Sequence, residues 1–242
     1  LDNSAIIIQK PYVITEIIHA TPDVDIFRMA AQDGTKLNFD PGMFVMLNYV
    51  NNETGEKIAR AFSIASAPNS EVLDFFVHMI HGRFTSKLDT AKVGDIYYVS
   101  GPYGQFKFDA KSDKKVLFIA GGTGIAPFMS MLKHIRNISS GNDVILIYSI
   151  RYPNEIIAKE DLESLEKEIN LKMVITVTRP QQGDGWSGET GHIDSNMLSR
   201  HVSDIMERSI YICGPLSFTK AMKEVVASMG VKPEKVKADV WG

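Results

Sequence analysis

The rhythm of apolar residues changes near residue 110, and this change constrains the fold more than any single motif. Before it, short runs rich in β-branched and aromatic residues occupy 12–20, 24–30, 43–50, 59–65, 72–80 and 96–100. Turn chemistry separates them, as at Thr21-Pro22-Asp23, Asp33-Gly34 and Asp40-Pro41-Gly42. Many short strands with a single short helix, predicted over 85–90 with Thr85 as its cap, describe a β-barrel. After residue 110, a continuous apolar run at 116–120 and mostly apolar strands at 144–150, 173–178 and 210–213 alternate with helical spacing, as in Phe128, Met131, Leu132 and Ile135, or Phe218, Met222, Val225 and Met229. Runs without alternation are strands buried on both faces, and their alternation with helices predicts a doubly wound parallel α/β unit. The expected division is 1–110 and 111–242, through the polar stretch 109–114.

Composition removes several classes of function. The chain has 242 residues, room for two domains, and a net charge of −3 from 26 basic and 29 acidic residues. Residues 1–110 hold 9 basic and 13 acidic side chains and the remainder 17 and 16, so neither half is suited to neutralising a nucleic-acid backbone. Cys213 is the single cysteine, which excludes an intramolecular disulfide, a multi-cysteine zinc site and a four-thiolate iron–sulfur cluster. A lone thiol fits a reducing compartment, so a cytoplasmic location is expected. The longest apolar runs, Ala5-Ile6-Ile7-Ile8 and Val144-Ile145-Leu146-Ile147, are too short to span a bilayer, and the start lacks a signal-peptide layout. Leu1 stands where an initiator Met would, leaving room for natural residues before it.

Three segments suit anionic ligands. Gly121-Gly122-Thr123-Gly124-Ile125-Ala126-Pro127 lies between a buried strand and a helix, where glycines admit a pyrophosphate and the helix start offers free N–H groups. Gly122 and Gly124 match the usual dinucleotide fingerprint, Pro127 replaces its third glycine, and the acid expected after the second strand is missing; Asp143 precedes that strand. A plain glycine turn capping a helix is the alternative. Arg60-Ala61-Phe62-Ser63 sets a guanidinium and a hydroxyl on one strand, with Arg60 and Phe62 on the same face. Gly82-Arg83-Phe84-Thr85-Ser86 follows a strand and opens a helix, making a second anion site from amides and hydroxyls.

With these motifs in order, and Cys213-Gly214-Pro215 after them, the chain resembles the ferredoxin–NADP reductase family over nearly its whole length. The resemblance implies an N-terminal antiparallel Greek-key barrel holding FAD and a C-terminal α/β domain holding NADP or NAD. It implies that Arg60 binds the FAD pyrophosphate together with Gly82, Thr85 and the amides of Phe84 to Ser86. Ala61 and Phe62 would pass along the flavin, Phe62 packing on its ring where the family often has Tyr. Ser63 would hydrogen-bond N5, the atom that accepts hydride. Gly122, Thr123 and Gly124 would hold the nucleotide, and Cys213, Gly214 and Pro215 would border the nicotinamide, with Cys213 beside its reactive carbon. Asp239 matches a frequent Glu near the C-terminus, and Trp241 matches an aromatic that covers the flavin, with edge packing as its alternative. Arg151 and Arg179 follow the second and third strands, where a guanidinium would favour the 2′-phosphate of NADPH, so NADPH is expected over NADH; a surface residue before Pro180 is the alternative for Arg179.

The implied function is an NAD(P)H oxidoreductase passing hydride to FAD and then single electrons to a carrier such as a ferredoxin, a flavodoxin or an oxygenase component. Lacking iron–sulfur cysteines, the chain would need a separate acceptor. Two rivals remain: an NAD(P)H:flavin reductase, for which a pyrophosphate site would be superfluous, and an electron-transfer subunit of a larger redox complex. No metal site is expected, since His78 and His81 lack a third ligand and read as structural. Ser63 has no His or Asp partner at triad spacing, and Met129, Met131 and Met222 read as core filling.

Overall fold

The computed structural model of the chain describes residues 9–51 and 54–241, Trp241 by its backbone alone. The run Ala5-Ile6-Ile7-Ile8 lies outside the described residues. Six strands form the first sheet: β1 (Lys10–Thr21), β2 (Val24–Ala31), β3 (Phe44–Val50), β4 (Lys57–Ser63), β5 (Val72–His78) and β6 (Ile96–Tyr103). Their order is β4-β3-β6-β1-β2-β5 and every pairing is antiparallel. Alternation turns Ile14, Phe27, Val45, Leu47, Phe75 and Val99 inward as the barrel core. Closure happens just past β4, where Ile64 N–H donates to the Met43 carbonyl (3.1 Å) and Ala65 N–H to the Asp74 carbonyl (2.9 Å). That crossing from β3 to β5 ends β4 two residues before the expected 65. β5 stops at His78 rather than 80, because Met79 N–H turns to the Asp23 carbonyl (2.9 Å) and His81 adopts φ +54°.

The second sheet contains β7 (Lys115–Gly121), β8 (Asp143–Ile150), β9 (Leu171–Val177), β10 (Glu189–Thr190), β11 (Ser209–Pro215) and β12 (Val236–Trp241). All pairings are parallel, in the order β10-β9-β8-β7-β11-β12. The chain steps outward from β7 through β8 and β9, then returns to β11 on the other side of β7. This reversal opens a crevice at the carboxyl end of β7, the position ligands take in such sheets. Phe118 and Ala120 face α2 (Ile125–Ile138) and α3 (Lys159–Glu168), while Leu117 and Ile119 face α4 (Ser195–His201) and α5 (Leu216–Ser228). The first of these cores also takes in Phe76, Phe106 and Phe108, so it continues to the barrel side. Among the described residues, no helix is long and apolar enough to cross a membrane.

Backbone contact between the Gly122–Gly124 turn and β11 sets the crevice. A Cβ on Gly124 would stand 2.3 Å from the Cys213 carbonyl oxygen, so only glycine permits that approach. Gly124→Ala should therefore cost about 1–3 kcal/mol, a fall in Tm of roughly 2–10 °C by thermal unfolding. Gly122→Ala meets no atom within 4 Å and should lose less, limited to the strain of its φ of +55°.

Candidate cofactor and active site

On the barrel, the loop leaving β5 is drawn inward by its carbonyls. Ser86 N–H donates to the Gly82 carbonyl (2.8 Å), and the Tyr49 hydroxyl donates to the Arg83 carbonyl (3.1 Å). Arg83 itself pairs with Glu56. Among the described residues, the N–H groups of Arg83, Phe84 and Thr85 have no intrachain acceptor. Phe84 anchors this arrangement, fully buried with ring centroids 5.5 Å from both Tyr49 and Phe62. The expected role of Thr85 as a side-chain cap does not hold. α1 (Thr85–Leu88) has Phe84 at its cap position, and the Thr85 hydroxyl instead turns back to accept Gly82 N–H (2.9 Å).

Arg60 shares a face of β4 with Ile58 and Phe62, both of which pack on the barrel core. Six of the eight arginines pair with a carboxylate; Arg60 and Arg179 do not among the described residues. Arg60 makes only a 3.5 Å contact to the carbonyl of its neighbour Ala59. Ala61 and Ser86 are exposed, and Ser63 is half-buried at the end of β4, opposite Phe44. An unneutralised guanidinium and a row of open amides are the donor set a diphosphate needs.

In the α/β half, Gly122 has open space beside its backbone. Phe218 packs flat against the positions where Gly121 and Gly214 would carry side chains, at 3.0 and 2.6 Å, which accounts for both glycines. A cavity of about 290 Å³ opens here, with Gly122, Thr123 and Pro215 on one wall and Asp23 and His78 reaching in from the barrel. Arg151 closes one end, already engaged by Asp23 Oδ2 (2.5 Å) and Glu155 Oε1 (2.8 Å). Burial alone would raise the Asp23 carboxyl, but the Arg151 hydrogen bond and the nearby His78 and Arg151 charges hold it below its ordinary value. Asp143, expected just before the second strand, is instead the first residue of β8 and is bound by Arg208.

Cys213 lies fully buried beneath this surface rather than on it. Burial, then the charge of Asp239 beside it in the β11–β12 ladder, pushes the thiol up; burial also raises the Asp239 carboxyl. Trp241 pairs by backbone with Pro215, and its side chain is outside the described residues. Sequence reasoning missed Asp23, which reads as an ordinary turn acid, and the wall position of His78. His78 Nε2 bonds Asp23 (3.0 Å) and His81 Nδ1 bonds Asp89 (2.9 Å), so the two imidazoles lean on different carboxylates.

Residues 11–108 match the oxidoreductase FAD-binding domain, and residues 118–224 match the oxidoreductase NAD-binding domain. The glycine betaine monooxygenase reductase subunit of Pseudomonas aeruginosa is 32% identical over 233 residues, covering 94% of this chain and 63% of that protein. The chain thus spans less than two thirds of that relative's length. The cytochrome b5 reductase domain of Ulva prolifera nitrate reductase superposes with a TM-score of 0.84 at 26% identity, covering 96% of this chain and 97% of that one. A Neisseria gonorrhoeae ferredoxin NADP+ reductase with bound FAD and NADP gives 0.80 at 22%, covering 96% and 98%. The chain thus carries an oxidoreductase FAD-binding domain followed by an oxidoreductase NAD-binding domain. It belongs to the ferredoxin–NADP reductase-like family.

A thiol that is buried and raised stays protonated at neutral pH and reacts slowly. Folded protein treated with iodoacetamide at pH 7.5 should remain unmodified at Cys213 by mass spectrometry, and become alkylated once denatured.

Proposed function

We propose that residues 1–110 hold FAD, that residues 111–242 bind NAD(P)H, and that the chain passes electrons onward to a separate one-electron carrier, a ferredoxin, flavodoxin or oxygenase component. The observation that carries this reading is the unneutralised Arg60 together with the amides of Arg83 to Thr85 that have no intrachain acceptor among the described residues, and the open space beside Gly122 in the other half. Bound FAD would supply the conversion of a hydride pair into single electrons. Arg60, Gly82, Phe84, Thr85 and Ser86 would hold its diphosphate, Ala61 and Phe62 would lie along the ring system, and Ser63 would donate its hydroxyl at the atom taking up hydride. Gly122, Thr123, Gly124, Gly214 and Pro215 would seat the nicotinamide nucleotide. Cys213 would act from below by packing, since its thiol does not reach the cavity surface. The monooxygenase reductase relative supports an oxygenase component as the acceptor. The single unpaired Cys213 supports a cytoplasmic setting.

Arg60→Ala should weaken FAD binding roughly ten- to a hundredfold, the worth of a charge-assisted contact. Ser63→Ala should keep FAD yet slow flavin reduction by about ten- to a hundredfold in stopped flow. The purified chain should reduce ferricyanide with NAD(P)H unaided. Turnover that requires added free flavin would favour the flavin-reductase reading, and turnover that requires another protein the complex-subunit reading.

Nucleotide choice we assign to Arg179. Its guanidinium is free among the described residues and its N–H is bound to the Arg151 carbonyl (2.9 Å), whereas the Arg151 side chain is held by two carboxylates. Arg179→Ala should raise the KM for NADPH and leave that for NADH nearly unchanged. A wild-type chain that uses NADH as well as NADPH, or better, overturns the assignment.

A further inference from the structure

We propose that Lys133 is a positioning residue for hydride transfer, holding the nucleotide half of the chain in register with the flavin half through Asp74. The proposal rests on the assignment of FAD to the barrel and the nucleotide to the α/β half. Lys133 stands midway along α2, the helix that grows out of the Gly122–Gly124 turn. Its ammonium lies 3.7 Å from Asp74 on β5 and 3.0 Å from Asp161 on α3. Asp74 in turn holds Arg28 Nε at 2.9 Å, and Arg28 holds Glu16 at 2.6 Å. Charges of alternating sign thus run from the barrel surface across the junction to α3. Within this run, the Lys133–Asp74 step is the one that joins the two halves.

Backbone connects the pair to both sites. Ala65 N–H donates to the Asp74 carbonyl (2.9 Å) just beyond Ser63, and Asp74 N–H donates to Ser66 Oγ (3.3 Å). On the other side, α2 carries Lys133 and begins at Gly124. The junction between them runs along one face of the β2–β5 ladder, with Arg28 opposite Asp74, Ile26 opposite Phe76 and Val24 opposite His78. Val24, Ile26 and Phe76 share a core with Phe118 and Phe128, and apolar contact of that kind is non-directional. Direction comes from the polar ties at its two ends, Asp23–Arg151 beside the cavity and Asp74–Lys133 about 14 Å further along the strand. The first is solvent-screened. In the second, Asp74 is 7% and Lys133 14% exposed, so removing the cation strands part of a desolvated carboxylate, which the junction must open to hydrate. A tilt of about 5° over that length is about 1 Å at its far end, and a misplacement of that size costs hydride transfer about a hundredfold.

The test uses the FAD-loaded chain in anaerobic stopped flow, with flavin reduction followed over a series of NAD(P)H concentrations to separate the limiting rate from the nucleotide Kd. K133M keeps the stem and removes the charge. Its limiting rate should fall roughly ten- to a hundredfold, while FAD content, nucleotide Kd and reoxidation of dithionite-reduced flavin by ferricyanide match wild type. K133R should restore most of the rate. D161N removes the partner within the nucleotide half and should change the rate far less, which separates a tie between halves from support of α2 by α3. Should K133M fail to fold, K133Q takes its place with the same loss expected. A neutral variant that is reduced as fast as wild type, a loss that appears in Kd instead of the limiting rate, no rescue by K133R, or an equal loss in D161N overturns the proposal and leaves the cofactor assignment intact. If neither NADPH nor NADH reduces the flavin of the wild-type chain, the assignment itself fails and the role of Lys133 fails with it.

Discussion

A cluster of five aromatic rings holds the barrel against the parallel sheet, and the site's geometry depends on it. Phe106 and Phe108, just beyond β6, insert beside β7, α2 and β11. Phe118 stacks on Phe128 at 4.8 Å and 18°, and Tyr211 meets Phe106, Phe108 and Phe118 edge-on at 5.5 to 6.1 Å. Each such pair contributes about 0.5–1.5 kcal/mol beyond its buried area. The polar tip of Tyr211 is satisfied as well, donating to Asp113 Oδ2 (2.5 Å) and accepting from Lys237 (2.6 Å), while burial and the Asp113 charge keep the phenol strongly raised. Hydride transfer tolerates only about 3–3.5 Å between reacting atoms. Two separate nucleotide sites can meet that tolerance only if the halves carrying them are rigidly docked, and close-packed rings are suited to fixing such an angle.

The far side of the junction is polar and serves differently. Asp23, His78 and Arg151 have side chains roughly a third to a half exposed, so their pairing adds little to stability. Its consequence is local: it fixes where charge sits on the cavity wall. Arg28, Asp74 and Lys133 make a second junction tie on more buried groups, with Asp74 7% and Lys133 14% exposed.

Most of the architecture was legible because it follows from periodicity. The run at 116–120 could only be a strand buried on both faces, and Phe128, Met131, Leu132 and Ile135 all lie in the core. Elements without a strong apolar signature escaped. β10 has two residues, α4 is a short helix started by Asp194 accepting Met197 N–H (2.7 Å), and β12 is an edge strand of mixed polarity. Strand ends shifted where tertiary hydrogen bonds override local pattern, as at Ile64 and Met79. In the site, the anion loops could be read because glycine and hydroxyl spacing has a local cause. Asp23 and His78 could not, since Asp23 meets His78 across 55 residues of chain and Arg151 across 128, and no local pattern reports such a meeting.

Arginine usage separates structural charge from charge kept for ligands. Arg208, 4% exposed, bonds Asp143 and Asp204 and the carbonyls of Val116 and Asp143. Every donor there is matched, as a buried guanidinium requires, because removing one partner would strand a desolvated charge. Arg60 is the opposite case: exposed and unpaired, it remains hydrated at little cost and can exchange that water for an anion. Arg151 lies between the two. A phosphate approaching it must displace or share contacts with Asp23 and Glu155, and both carboxylates would then face the phosphate at close range. Those two carboxylates therefore lower the attraction of this end of the cavity for an anion, so the Arg151 charge serves the junction between the two sheets first.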